Sequence, residues 1–159
     1  MQVDLEGVKV EVEDHGEGMP VVLLHGFPLS SEMWTPIRTA VEQAARLITP
    51  DLPGFGGSDK PERDYSMTAL ADDVLRLADR LGLPRFVLGG HSMGGYVALR
   101  LAASHPKRLA GLILVGTRAS ADTEEARARR DSGVQRIRNG EAAAFLDEFG
   151  PNLVGPATR

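Results

Sequence analysis

Near the start of this chain, apolar and polar residues alternate with the two-residue period of a β-strand. Residues 8–13 alternate valine with charged side chains, which predicts a strand with one buried face. The unbroken apolar run 21–24 is typical of a strand covered on both faces, as in a parallel sheet. Further short strands are predicted at 46–49, 85–89 and 109–115.

Segments with helical spacing separate these strands. Apolar side chains recur at helical intervals from Leu70 to Leu81, between an N-cap at Ser66 and a terminating Gly82. Two more helices are predicted, at about 31–44 and at 93–104. This alternation of strands and helices predicts an α/β fold, in which a mostly parallel sheet carries helices on both faces.

The pattern changes after residue 118. Residues 119–139 are rich in Ala, Arg and Glu with few large apolar side chains, and a second short helix is predicted at 141–149. We therefore divide the chain into a core segment, 1–118, and a second segment, 119–159.

Composition narrows the possible functions. A chain of 159 residues, 42% hydrophobic and 25% charged, is expected to fold as one domain with a sizeable core. No apolar run approaches the ~18 residues of a membrane span. The start lacks the basic and apolar regions of a signal peptide, so we expect a cytoplasmic protein without membrane contact. The absence of cysteine excludes disulfides and cysteine-ligated metals, and a net charge of −4 gives no reason to expect nucleic acid as a partner.

The segment Gly90-His91-Ser92-Met93-Gly94 lies between a predicted strand and a predicted helix. A serine at such a sharp turn is held out from the backbone, as a nucleophile requires, and small neighbours such as Gly90 and Gly94 make room for the turn. An incidental serine in a tight turn is the alternative. A phosphate-binding loop is excluded, because Tyr96 and Val97 occupy the positions that would need Lys and Ser or Thr.

A second motif, His25-Gly26-Phe27-Pro28, follows a buried strand. Open α/β sheets bind ligands at the carboxyl ends of their strands. Gly26 lets this loop approach the nucleophile, so that the amides of Phe27 and Met93 are predicted to stabilise a developing oxyanion. For His25 we favour a structural role, with its ring hydrogen-bonded to the loop backbone.

A third motif, residues 51–59, also follows a strand and is rich in Gly and Pro. Asp51 and Asp59 suggest a metal site or acid–base chemistry, but the segment lacks the alternating oxygen ligands of a calcium loop. We favour turn chemistry, in which the two carboxylates hold a long loop in place.

These three motifs, in this order and at these strand ends, resemble those of the α/β-hydrolase fold family. The resemblance covers about residues 1–118. It implies a doubly wound, mostly parallel sheet truncated after the sixth strand, and 119–159 resemble the start of a helical cap. Within the family the chain resembles cofactor-independent esterases, enol-lactonases and haloperoxidase-like enzymes, so no cofactor or metal is expected. Dehalogenases and epoxide hydrolases with an aspartate nucleophile are disfavoured because residue 92 is serine.

In this family the catalytic serine is followed along the chain by an acid and then by a histidine. We expect none of the four histidines to serve Ser92. His15 is placed in a turn, His25 supports a loop, and His91 is expected to point elsewhere on the turn. His105 lies a helix of about 12 residues, roughly 18 Å, away.

The resemblance therefore implies a serine hydrolase of small carboxylic esters or lactones whose acid and histidine lie beyond residue 159. The alternatives are a perhydrolase or haloperoxidase-like enzyme, and a ligand-binding protein without catalysis. Trp34, with Phe27 and Met93, is a candidate lining of the substrate pocket. Without its base this chain alone is expected to be nearly inactive, and a C-terminal half or a second chain is expected to pair at the strand 109–115.

Overall fold

The structure is a computed structural model that describes residues 1–63, 65–153 and 155. The chain divides into two compact units, Met1–Ala119 and Ser120–Arg159. The first unit holds the predicted nucleophile and the sheet, and the second is helical.

The first unit is built on a six-stranded sheet with the order β1-β2-β4-β3-β5-β6. Its strands are β1 Gln2–Leu5, β2 Val8–His15, β3 Pro20–Leu24, β4 Arg46–Pro50, β5 Phe86–His91 and β6 Leu109–Val115. β2 pairs antiparallel with β1 and β4, whereas β3, β4, β5 and β6 pair in parallel. The mostly parallel α/β sheet predicted from the sequence is confirmed.

Three helices of the first unit connect these strands: α1 Thr35–Glu42, α2 Met67–Arg80 and α3 Met93–Ser104. Short 3₁₀ helices occupy Ser31–Trp34 and Pro106–Arg108. The predicted N-cap of α2 is confirmed, since the Ser66 hydroxyl accepts a hydrogen bond from the Ala69 amide.

Some sequence-based boundaries were wrong. β1 was not predicted, because its four residues carry too short an apolar pattern. His15 is the last residue of β2 and pairs with Leu47, whereas the sequence placed it in a turn. The helix predicted from residue 31 begins with a 3₁₀ turn, and its α-helical part starts at Thr35.

Both faces of the sheet are covered, as the apolar run 21–24 predicts. The larger core cluster includes Leu24 and Leu88 together with buried residues of α2 and α3. The smaller cluster consists of Leu23, Trp34 and Leu47. Because Leu23 and Leu24 are adjacent in one strand, their side chains point to opposite faces of the sheet.

β6 lies at one edge of the sheet. Its consecutive residues Leu112, Ile113, Leu114 and Val115 are each at least 40% exposed. Successive side chains of a strand point to opposite faces. The carboxyl end of β6 is therefore partly exposed on both faces as well as along its edge.

The second unit contains α4 Glu124–Arg138, α5 Ala142–Phe149 and a 3₁₀ turn, Gly150–Leu153. The two helices pack at Gly133, where an added Cβ would lie 2.9 Å from the Phe145 ring. The Arg136 guanidinium bonds Glu148 across the pair. The assignment of 119–159 as part of a cap stays a prediction. In the described part of the chain, no helix has the length and apolar character needed to cross a membrane.

Candidate active site

Ser92 connects β5 to α3 in a conformation that side chains rarely adopt. Its φ is 49° and its ψ is −110°, and Glu6 is the only other non-glycine residue with positive φ among those described. Such a backbone persists only where the surrounding structure enforces it, and it is concentrated at functional sites. The strained turn predicted around the serine is present.

Close packing at the start of α3 enforces this turn. An added Cβ at Gly94 would lie 2.5 Å from the carbonyl oxygen of Leu24 and 2.6 Å from that of His25. A Cβ at Gly90 would overlap the Gly94 carbonyl. The absence of side chains at Gly90 and Gly94 therefore lets the helix begin directly against the end of β3.

Hydrogen bonds from the neighbouring strand hold the Ser92 backbone. The Ser92 amide donates to the carbonyl oxygen of Val115, at 3.0 Å. The Ser92 carbonyl oxygen accepts from the Thr117 hydroxyl at 2.9 Å and from the amides of Gly95 and Tyr96 in the first turn of α3. The turn is thus tied to the end of β6 on one side and to its own helix on the other.

The loop that follows β3 lies next to this turn, because Leu24 and Gly90 are neighbours in the parallel pair β3–β5. Its turn closes by a 2.9 Å hydrogen bond from the Leu29 amide to the Gly26 carbonyl, and the Phe27–Pro28 peptide is cis. The Phe27 ring packs edge-on against Phe55, with 6.2 Å between centroids. The roles of the Phe27 and Met93 amides as oxyanion donors stay predictions.

His25 is fully buried and uses both ring nitrogens on the backbone. Its Nδ1 lies 3.0 Å from the Gly26 carbonyl oxygen, and its Nε2 accepts from the Leu52 amide at 3.0 Å. Since Nε2 accepts, the proton is on Nδ1. Burial lowers the pKa of His25, so the ring is held neutral. The ring ties the loop after β3 to the loop after β4.

Asp51 performs the loop-holding function that the sequence suggested. Its Oδ1 accepts from the Ser31 amide at 2.7 Å and its Oδ2 from the Gly57 amide at 2.8 Å. The other acidic residue of this motif, Asp59, accepts from the Lys9 amide at 3.0 Å. Both carboxylates thus accept hydrogen bonds from backbone amides of other segments, which gives each a structural role. Across the residues that the structure describes, no group of three or more potential ligands is arranged to hold a metal ion.

The remaining histidines do not hydrogen-bond Ser92 anywhere in the described residues. His15 bonds Glu13 at 2.8 Å and lies beside the start of β4. It is therefore at the amino-terminal ends of the parallel strands, whereas the site lies at their carboxyl ends. His105 lies at the far end of α3 and bonds the Ser104 hydroxyl. His91, next to Ser92, packs between two loops.

Trp34, a candidate pocket residue, is only 9% exposed and packs with Leu23 and Leu47 in the smaller core cluster. This packing accounts for its burial without a substrate. A substrate contact by Trp34 stays a prediction.

Sequence reasoning missed the role of Thr117. From the sequence, no role was predicted for residues 116–118, which contain no carboxylate that could serve as a catalytic acid. The available signal was position, because Thr117 is the second residue after β6, which neighbours the serine-bearing strand, and it lies at the carboxyl ends of the strands, where α/β sheets bind ligands.

Comparison with known proteins agrees with this geometry. The family model described as alpha/beta hydrolase fold matches residues 19–152. The chain belongs to the alpha/beta-hydrolase fold family. Among solved structures of this family, it superposes on a thermophilic esterase from Thermogutta terrifontis with a TM-score of 0.87 and 41% identity, over 95% of this chain. It superposes on the enol-lactonase from Burkholderia xenovorans LB400 with a TM-score of 0.84 and 28% identity, also over 95%.

A curated member of the same family, the fluoroacetate dehalogenase of a Burkholderia species, is 35% identical over 118 residues, or 71% of this chain. Esterases, lactonases and dehalogenases are thus all among the relatives of this α/β-hydrolase. The chain spans 58% of the esterase, 58% of the enol-lactonase and 39% of the dehalogenase.

Proposed function

We propose that the whole protein, meaning the natural gene product that contains these residues, is a serine hydrolase of small carboxylic esters or lactones. The observation that carries this proposal is the strained conformation of Ser92 at the strand ends, beside the loop that follows β3. Similarity to an esterase and to an enol-lactonase supports the substrate class.

In the proposed reaction the Ser92 hydroxyl oxygen attacks the carbonyl carbon of the substrate. A histidine takes the hydroxyl proton, an acid orients that histidine, and the amides of Phe27 and Met93 stabilise the oxyanion. The tetrahedral intermediate collapses to an acyl-enzyme and expels the alcohol oxygen, which receives the proton from the histidine and, in a lactone, stays attached to the acyl group. Water then attacks the acyl-enzyme and gives a proton to the histidine, which passes it to the Ser92 oxygen as the carboxylic acid is released.

The histidine and the acid are proposed to come from a C-terminal half or from a second chain. None of the four histidines of this chain bonds Ser92 in the described structure, and both ring nitrogens of His25 lie against backbone atoms. The open edge of β6 is the proposed site at which the missing part pairs. Because an unassisted serine is a weak nucleophile, we propose that residues 1–159 alone are nearly inactive.

Turnover of p-nitrophenyl acetate by the whole protein and its Ser92→Ala variant tests this proposal. The matched control is Ser104→Ala, because Ser104 lies at the exposed far end of the same helix. We expect turnover and fluorophosphonate labelling to be lost in Ser92→Ala and retained in Ser104→Ala. Full activity of Ser92→Ala would refute the assignment of the nucleophile.

Two other outcomes would replace the proposal. A whole protein that neither hydrolyses esters nor reacts with the fluorophosphonate would be a ligand-binding member of the family. Ser92-dependent turnover only in the presence of hydrogen peroxide would indicate a perhydrolase or haloperoxidase-like enzyme.

A further inference from the structure

The ring of His91 fills a slot between two loops of the site. His91 is the last residue of β5 and pairs with Val115 of β6. An added Cβ at Gly26, in the loop after β3, would lie 2.6 Å from His91 Nδ1. An added Cβ at Gly116, after β6, would lie 3.3 Å from His91 Nε2. The ring therefore occupies the space that a side chain at either glycine would need.

Packing, and not hydrogen bonding, holds the side of this ring that carries Nδ1. The Nδ1 atom of His91 is buried and has no hydrogen-bond partner among the described residues. Burying an unpaired polar atom is unfavourable, so the contacts of the ring must offset this penalty. The shape of the side chain, which separates the two loops, provides those contacts.

One wall of the slot is fixed to the nucleophile. The Thr117 hydroxyl bonds the Ser92 carbonyl and the Ser92 amide bonds Val115, so the segment around Gly116 cannot move independently of Ser92. The opposite wall is Gly26, whose carbonyl carbon is bonded to the amide nitrogen of Phe27. The ring thus lies between the segment that is hydrogen-bonded to Ser92 and the peptide that carries the Phe27 amide.

We propose that His91 is a positioning residue, whose ring spaces the loop that carries the Phe27 amide from Ser92. This inference rests on the proposed function, in which that amide is an oxyanion donor. Oxyanion donors act at a defined distance from the reacting oxygen, and a misplacement of about 1 Å can lower the rate by about 10²-fold. His91 acts through the loop and transfers no proton.

Steady-state kinetics of the whole protein with p-nitrophenyl acetate test the spacing. His91→Ala removes the ring and is expected to lower kcat by about tenfold or more, with KM little changed, because the loss falls on the transition state. His91→Gln fills most of the slot without an imidazole and is expected to recover most of kcat. The pH dependence of kcat/KM should keep its shape in both variants. Loss of one limb of that profile, or equal losses in His91→Ala and His91→Gln, would overturn the proposal.

A double-mutant cycle with Gly26→Ala provides a second measurement. The added methyl collides with His91 Nδ1, so Gly26→Ala is expected to lower kcat strongly in the wild-type background and much less in His91→Ala. The same cycle measured by urea unfolding of the whole protein reports the contact without any activity. Additive effects on unfolding would overturn the packing on which the inference rests. A wild-type protein without esterase activity, but with coupled unfolding, would refute the proposed function while leaving the contact intact.

Discussion

The hydroxyl of Thr117 donates a 2.9 Å hydrogen bond to the carbonyl oxygen of Ser92. The bond joins the loop after β6 to the turn that presents the nucleophile. The methyl group of the same side chain lies against Gly95, where an added Cβ would be 2.5 Å away. One threonine thus holds the strained serine by a polar contact and packs against the start of α3.

Replacing Thr117 by valine preserves its shape and removes the hydroxyl. We expect the free energy of unfolding to fall by about 1 kcal/mol, the net contribution of a typical intramolecular hydrogen bond. Urea unfolding of the whole protein measures the change. Thr117→Ser, which retains the hydroxyl and loses the methyl, is the matched variant for separating polar and packing contributions. A valine variant as stable as the wild type would show that the bond does not contribute.

Gly94→Ala tests the approach of α3 to β3. Alanine is favoured over glycine in a helix by about 1 kcal/mol. Here, however, the methyl would meet the backbone oxygens of Leu24 and His25, which cannot rotate away. We expect a net destabilisation of about 2 kcal/mol or more, measured by thermal or urea unfolding.

Gly150→Ala is the control for this prediction. Gly150 has a φ of −52° and no atom within 4 Å of an added Cβ. Its substitution should change the free energy of unfolding by less than about 0.5 kcal/mol. A Gly94→Ala protein as stable as the wild type would contradict the close packing at the start of α3.

The strands and helices of this α/β-hydrolase were largely predictable because most of them carry a local signal. The apolar run of β3 and the helical spacing of α2 follow from the sequence alone. β1 was missed because this strand is stabilised by antiparallel pairing with β2, a contact that its four residues do not indicate by themselves. His15 belongs to β2 for the same reason, since β4 pairs along that part of the strand.

The features of the candidate site were likewise predictable only where their signal is local in sequence. The turn at Ser92 was predictable because its glycines are adjacent in sequence. The bond from Thr117 was not, because it depends on β6 lying beside β5, a relationship between segments 25 residues apart. The slot filled by His91 requires three segments to meet, at Gly26, His91 and Gly116, and no local pattern marks such a meeting.

The buried ring of His25 predicts a pH dependence of stability. Burial lowers its pKa below the ordinary value of a histidine, so the folded protein keeps the ring neutral while the unfolded chain takes up a proton near that ordinary value. Protonation would also place a hydrogen on Nε2, which must accept from the Leu52 amide. Stability is therefore full above the unfolded pKa and declines as the pH falls below it towards the folded pKa.

Urea unfolding between about pH 7 and pH 5 measures this decline, which cannot exceed about 1.4 kcal/mol per pH unit for one proton. His25→Gln should lower stability and flatten its dependence on pH. The control is His105→Gln, which removes an exposed imidazole instead of the buried one. Parallel curves for the wild type and His25→Gln would contradict the role assigned to burial.

The uncovered end of β6 predicts self-association of residues 1–159 on their own. Leu114 is 45% exposed at this edge, and its neighbours on both faces are nearly as open. An exposed apolar edge strand recruits another strand, so we expect a concentration-dependent dimer or larger species in sedimentation velocity. Leu114→Lys should shift the protein towards monomer, because a charged edge opposes pairing. Gln2→Lys places the same charge on β1 at the other edge and should leave association unchanged. Monomeric wild-type protein at all concentrations, with ordinary thermal stability, would contradict the prediction that the exposed edge of β6 recruits another strand.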